Sequence, residues 1–135
     1  MGIRQFEAFY YQAFTEIGYY NYDIADFKPY LKANKDPTNT DLCPADTRGR
    51  VVYNPATMAF VFNYLQYKAD NVVYVYGETD AWSSTQMHLI GRTNAVKIVV
   101  KGAWHNANIR AASPEQKQQV FSALESWLGM KLVRD

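Results

Sequence analysis

The stretch NVVYVYGETDAWSS, residues 71–84, decides the fold. Its first six residues are β-branched or aromatic around a single Asn, the composition of a strand. Gly77 then marks a turn, and Asp80 falls where a helix would begin. An acid is thereby set at the carboxyl end of a strand. Further along, AVKIVV at 95–100 is short and almost continuously apolar, as a buried parallel strand would be. Helical patterns surround both strands. Residues 54–68 carry Met58, Val61, Phe62 and Leu65 on one stripe, with Asn54 as N-cap and Pro55 in the first turn. Residues 84–90 read as a short helix stopped by Gly91. Ser113, Pro114 and Gln116 open a capped helix whose stripe is Val120, Phe121, Leu124 and Leu128 and which Gly129 ends.

Alternation of helices and strands implies a parallel sheet, so the fold class is α/β. Two parallel strands make a small sheet whose outer edges present unpaired backbone groups. The chain therefore reads as the end of a larger α/β fold. If it stands alone, a second copy covering the strand edges, a homo-oligomer, is the simplest remedy.

The front of the chain differs. Phe6, Phe9, Tyr10, Ala13, Phe14 and Ile17 recur at helical spacing over 4–17, with Gly18 as a stop. A weaker helical piece over 23–28 has Asp23 as cap and Pro29 as limit. The Pro-, Asn-, Asp- and Thr-rich segment 32–50 is a connector. Residues 1–50 thus form a helical segment with connector, and 51–135 the strand-bearing part. Met1 and Gly2 read as a start joined directly to an interior helix.

At 135 residues, the chain has the length of one domain. With 14 basic and 13 acidic side chains and no basic stripe, nucleic acid is not an expected partner. No apolar run approaches the ~20 residues of a membrane span, and MGIRQFEAFY lacks the apolar core of a signal peptide. The lone Cys43 has no internal disulfide partner, and one Cys with two His cannot build a structural zinc site, so no metal or other cofactor is expected. Cys43 reads as a half-buried thiol beside Pro44. Tyrosines crowd the first third: Tyr10, Tyr11, Tyr19, Tyr20, Tyr22 and Tyr30 suggest a surface that packs on a partner or lines a cleft.

Loops at the carboxyl ends of neighbouring parallel strands converge on one crevice, which brings His105, after the second strand, towards Asp80. An Asp that accepts the Nδ1 proton of a His is the orienting half of a catalytic triad. Asp then His on consecutive strands is also how an α/β-hydrolase delivers the pair. The plainer readings are that Asp80 only caps a helix, contributing about 1 kcal/mol, and that His105 is a polar loop residue beside Trp104. His88 competes for the base role, but no strand aims it, so it reads as a surface residue. The nucleophile is missing. An elbow serine needs glycine two residues before and two after it. Ser83, Ser84, Ser113, Ser122 and Ser126 all lack the first, and Cys43 is flanked at those distances by Asp41 and Ala45.

Three segments carry a family resemblance. GETDAWS resembles the Asp-Pro-Trp-Ser stretch bearing the catalytic acid in serine peptidases related to prolyl carboxypeptidase and dipeptidyl peptidase II, with Ala81 in place of proline. FYYQAFTEIGYY, residues 9–20, is similar to the Trp-x-Tyr-Gln-x-Cys-Thr-Glu-x-Gly stretch of their helical cap region, with Phe9 for the tryptophan and Phe14 for the cysteine. GAWHNANI is similar to the glycine-x-x-His stretch of bacterial secreted tripeptidyl aminopeptidases. The resemblance implies the C-terminal portion of an α/β-hydrolase serine peptidase preceded by cap-region helices, secreted or periplasmic. Its substrate would be a peptide whose short, proline-containing N-terminal piece is released. By position Asp80 would be the triad acid, His105 the base and Trp82 a substrate contact. Gln12 and Glu16 fall on the cap motif, where a carboxylate could pair with the substrate's terminal ammonium or simply bond within the cap. The partner needed is the serine-bearing N-terminal part of the core. The rival is a small non-catalytic module that binds a partner through its Tyr-rich helix.

Overall fold

The segments Val72–Gly77 (β1) and Ala95–Val100 (β2) pair in parallel, from Val72 opposite Ala95 to Gly77 opposite Val100. The computed structural model describes residues 6–19, 23–34 and 37–133, and within them the sheet has these two strands alone. Side chains alternate across a sheet, so this register sorts the pair into two unlike faces. Val73, Val75, Val96, Ile98 and Val100 share one face and pack with Ala112, Val120 and Leu124 from the helical side. Tyr74, Tyr76 and Lys97 share the other. Mixed helices around a parallel pair make the chain α/β, as its alternating pattern predicts.

Helix Pro114–Leu128 (α3) forms where its signals place it. Ser113 Oγ accepts the Gln116 amide at 3.3 Å while Gln116 Oε1 accepts the Ser113 amide at 3.2 Å, a reciprocal capping box. Gly129 ends the helix in the left-handed region at φ 66°. Val120 is fully buried, whereas Leu128 is left exposed. Gln116 has a second task. Carbonyls alternate in direction along a strand, and Val100 O faces β1, where it accepts the Glu78 amide at 3.1 Å. Val99 O therefore faces the outer edge of β2, and Gln116 Nε2 donates to it at 2.8 Å. One carbonyl of that edge is covered from within the chain.

Compactness divides the chain into two units, Met1–Phe60 and Val61–Asp135. In the first, Glu7–Gln12 (α1) passes into a wider π-turn, Ala13–Ile17, closed by the Gly18 amide on Ala13 O at 2.9 Å. Of its apolar stripe only Ala13 is buried. Edge-to-face contacts join Phe9 to Tyr10, Tyr10 to Tyr19 and Phe14 to Tyr19. Residues 4 and 5 of the expected helix, and Tyr20 and Tyr22, lie outside the described residues. The expected helix over 23–28 is instead a turn followed by the 3₁₀ helix Lys28–Tyr30. Asp23 Oδ1 takes the Ala25 amide at 2.8 Å, a local turn that competes with helix. Pro29 then sits inside the 3₁₀ turn, where its missing N–H costs nothing. The connector contains two further 3₁₀ turns, Asn39–Leu42 and Arg48–Arg50. Between them Cys43 is fully buried, not half-buried as expected. Burial pushes its thiol above the ordinary cysteine range against the pull of Arg48.

Helix Ala56–Tyr67 (α2) runs across the unit boundary, with Asn54 Oδ1 accepting the Ala56 amide at 3.0 Å. The helix expected over 84–90 does not form. A 3₁₀ helix occupies Ala81–Thr85, and the chain is irregular from Gln86 onward. Asp80 caps at Trp82, which starts the turn early. Beyond it the other face of the sheet takes the backbone: Tyr76 Oη accepts the Met87 amide at 3.0 Å, and Lys97 Nζ donates to Met87 O at 3.1 Å and Gln86 Oε1 at 3.2 Å. The two bonds to Met87 satisfy backbone groups that a helix would have paired internally.

Candidate active site

Asp80 and His105 meet. His105 Nδ1 lies 3.1 Å from Asp80 Oδ2, and Asp80 Oδ1 accepts the Trp82 amide at 3.0 Å. The two oxygens of Asp80 therefore have different partners: one caps the 3₁₀ turn and the other faces the imidazole. With the carboxylate ionised, Nδ1 carries the proton, which leaves Nε2 as the basic nitrogen. The carboxylate is sheltered, with 13% of its side chain exposed, whereas His105 is 69% exposed. The Trp82 ring rests 5.4 Å from the imidazole, tilted by 46°, and Trp104 beside it is also open to solvent.

Backbone geometry sets up this meeting. The loop after β1 is tied to the loop after β2 by Gly102 N–H on Glu78 Oε2 at 2.8 Å, and by the Thr79 amide and Thr79 Oγ1 on Ala103 O, each at 3.0 Å. His105 occupies the first central position of a turn closed by the Ala107 amide on Trp104 O at 3.0 Å. Asn106 Oδ1 braces that turn by accepting the Trp104 amide at 3.2 Å. Gly77 makes the crossing possible. A Cβ there would lie 2.5 Å from Trp104 O and 2.6 Å from Ala103 O, both backbone atoms.

Burial pushes the Asp80 carboxyl up, but the hydrogen bonds from His105 and the Trp82 amide, with the attraction of the imidazolium, outweigh it. The group lies below the ordinary aspartate range. Its folded value being depressed, the stability that this carboxylate adds is fully present above the unfolded value of about 3.9. That stability is lost as pH falls through the lower folded value. Denaturant titrations of the chain and of Asp80→Asn should therefore differ at pH 6 and converge at low pH. A constant gap at every pH would exclude the carboxylate as its source.

The remaining sequence candidates divide cleanly. His88 is exposed and lies in the irregular segment rather than on a helix, where its carbonyl accepts Gln66 Nε2. Ser83 is buried with Oγ unpaired and has no access to a substrate. Gln12 is exposed at the end of α1 and Glu16 is half-buried in the π-turn, both in the first unit, whereas Asp80, Trp82 and His105 are in the second. A cavity of about 400 Å³ in the first unit is lined by Phe14, Tyr19, Asn39 and Tyr53 among others, and by none of these five. Among the described residues, no group of three His, Cys, Asp or Glu side chains could hold a metal ion, and no helix is long and apolar enough to cross a membrane. Glu78 and Thr79 escaped the sequence reading. Their acceptor and donor on the other loop are backbone groups, and only adjacency to Asp80 pointed to them.

Residues 1–134 match the model of the peptidase family described as PS-10 peptidase S37. The chain belongs to the S37 peptidases. The resemblance to the bacterial tripeptidyl aminopeptidases also stands: this S37 chain is 24% identical over 133 residues to a prolyl tri/tetrapeptidyl aminopeptidase of Streptomyces mobaraensis. The match covers 96% of this chain and 27% of that relative, so the chain spans about a quarter of the relative's length. No solved structure matches it significantly.

Proposed function

We propose that this S37 chain is the C-terminal part of an exported α/β-hydrolase serine peptidase, and that it supplies the acid and the base of the triad. The observation that carries the reading is the 3.1 Å contact between Asp80 Oδ2 and His105 Nδ1 at the carboxyl ends of adjacent parallel strands. In that arrangement His105 Nε2 takes the proton of a serine as its oxygen attacks the scissile carbonyl, then returns it to the leaving amine. Asp80 holds the tautomer and stabilises the imidazolium. Every serine of the chain lacks the glycine that an elbow needs two residues earlier. The nucleophile therefore comes from a serine-bearing part that adds strands at the β1 edge. The open position of His105 suits such an arrangement, because the other wall of the cleft would come from that part.

The substrate would be a peptide with a free N-terminus, cut after a short and proline-containing segment, as the name of the Streptomyces mobaraensis relative suggests. Trp82, exposed against the imidazole, offers a ring face to the residues flanking the cut. Alone, the 135 residues should release no product from a proline-containing peptidyl reporter, measured fluorimetrically. Hydrolysis by the purified chain that His105→Ala abolishes would overturn the proposal. Light scattering reads whether a second copy of the chain associates with the first.

A further inference from the structure

We propose that Thr79 and Glu78 are positioning residues that hold His105 at its hydrogen-bonding distance from Asp80. The inference rests on Asp80 and His105 being a working pair and adds what keeps them together.

Regular pairing stops at Gly77 and Val100, yet Asp80 and His105 lie three and five residues beyond those ends. Little packing restrains the imidazole at 69% exposure. A series of bonds spans the interval. The Glu78 amide donates to Val100 O at 3.1 Å, continuing the ladder by one step. Glu78 Oε2 then takes the Gly102 amide at 2.8 Å, replacing the backbone acceptor that the diverging strands can no longer supply. Gly102 is at φ 66°, the left-handed turn that presents its N–H in that direction. Next, Ala103 O accepts twice from one residue, from the Thr79 amide and from Thr79 Oγ1, each at 3.0 Å. Asp80 and His105 follow at 3.1 Å. Each bond advances the two loops together, so the acid and the base reach one another in register.

Any residue but proline at 79 could give the amide bond, but the second needs a side-chain donor, here the Thr79 hydroxyl. The carbonyl it fixes is two residues from the imidazole. A single donor constrains distance, whereas two donors from one residue also constrain how the peptide plane turns. That turn sets where the Trp104–Ala107 reverse turn points His105.

The test is nuclear magnetic resonance on the 135-residue chain with ¹⁵N-labelled histidine, His88 being assigned with His88→Gln. Ring nitrogen shifts at neutral pH read which nitrogen of His105 carries the proton. The chain should show the Nδ1–H form, Asp80→Asn should lose it, and Thr79→Val should move to the Asp80→Asn pattern. Thr79→Ser, which keeps the hydroxyl, should retain the original pattern, and Glu78→Ala should behave as Thr79→Val. Amide exchange in β1 and β2 checks the sheet in each variant. If Thr79→Val and Glu78→Ala keep the Nδ1–H form, positioning is wrong and the pair survives. If both lose strand protection, the residues hold the sheet and the proposal falls. If the unsubstituted chain lacks the Nδ1–H form, the pair and the proposal fall together.

Discussion

In the whole peptidase that the proposed function describes, serine-bearing part included, Asp80→Asn should lower kcat about 10⁴-fold. The side chain keeps its size and its cap on the Trp82 amide, so the loop keeps its place. What changes is the sign of the group facing His105. A carboxylate oxygen accepts from Nδ1 at 3.1 Å, whereas an amide NH₂ there can only donate, which forces the proton to Nε2. The basic nitrogen then faces away from the serine, and the imidazolium of the transition state loses its counter-charge. KM should change little, because the acid touches no substrate. Steady-state kinetics on a proline-containing reporter separate the two constants. A loss below tenfold in kcat would remove Asp80 from the triad. His105→Ala should cost more, about 10⁶-fold, because it removes the base itself rather than the group that orients it.

Gly77→Ala should destabilise the chain by about 3 kcal/mol, the upper part of the range for overpacking a filled site. The added methyl would sit 2.5 Å and 2.6 Å from two carbonyl oxygens of the His105 loop. Neither atom is the end of a flexible side chain, so relief requires the loop to rise off the strand. Rising breaks the Thr79 bonds to Ala103 O and with them the approach of His105 to Asp80. Denaturant unfolding measures the loss, and the complete peptidase should lose activity in parallel. Gly49, with nothing within 4 Å of a built Cβ, is the control, and Gly49→Ala should change stability little. Equal stability of Gly77→Ala and the parent would mean that the loop does not cross that glycine.

The features legible in the sequence are those set by local chemistry or by one long-range rule. AVKIVV reads as a buried strand because its apolar run is too short for a helix; β2 occupies those six residues, although only Ile98 and Val100 are buried and Val99 is exposed. Ser113 to Gln116 declares its own cap. The Asp80–His105 meeting follows from the convergence of parallel-strand ends, which needs only the strands. The failures have the opposite character. Residues 84–90 look helical, but Tyr76 and Lys97 claim their backbone across the sheet, and periodicity holds no record of such bonds. The 23–28 segment goes to a turn because Asp23 bonds two residues ahead. Gly77 was legible as a turn signal, while its role as a saddle for the His105 loop depends on backbone atoms 26 and 27 residues later. The Glu78 and Thr79 ties were invisible because Gly102 and Ala103 contribute only peptide groups.

In the proposed function this chain brings its acid and base to a serine that it does not contain. A serine-directed fluorescent phosphonate tests it most directly, applied to the 135-residue chain, to the separate serine-bearing part of the same protein, and to their mixture. Label is expected on the serine-bearing part in the mixture alone, and it should be lost when the chain carries His105→Ala. Label on the 135-residue chain itself, or labelling of the mixture that His105→Ala leaves unchanged, would contradict it.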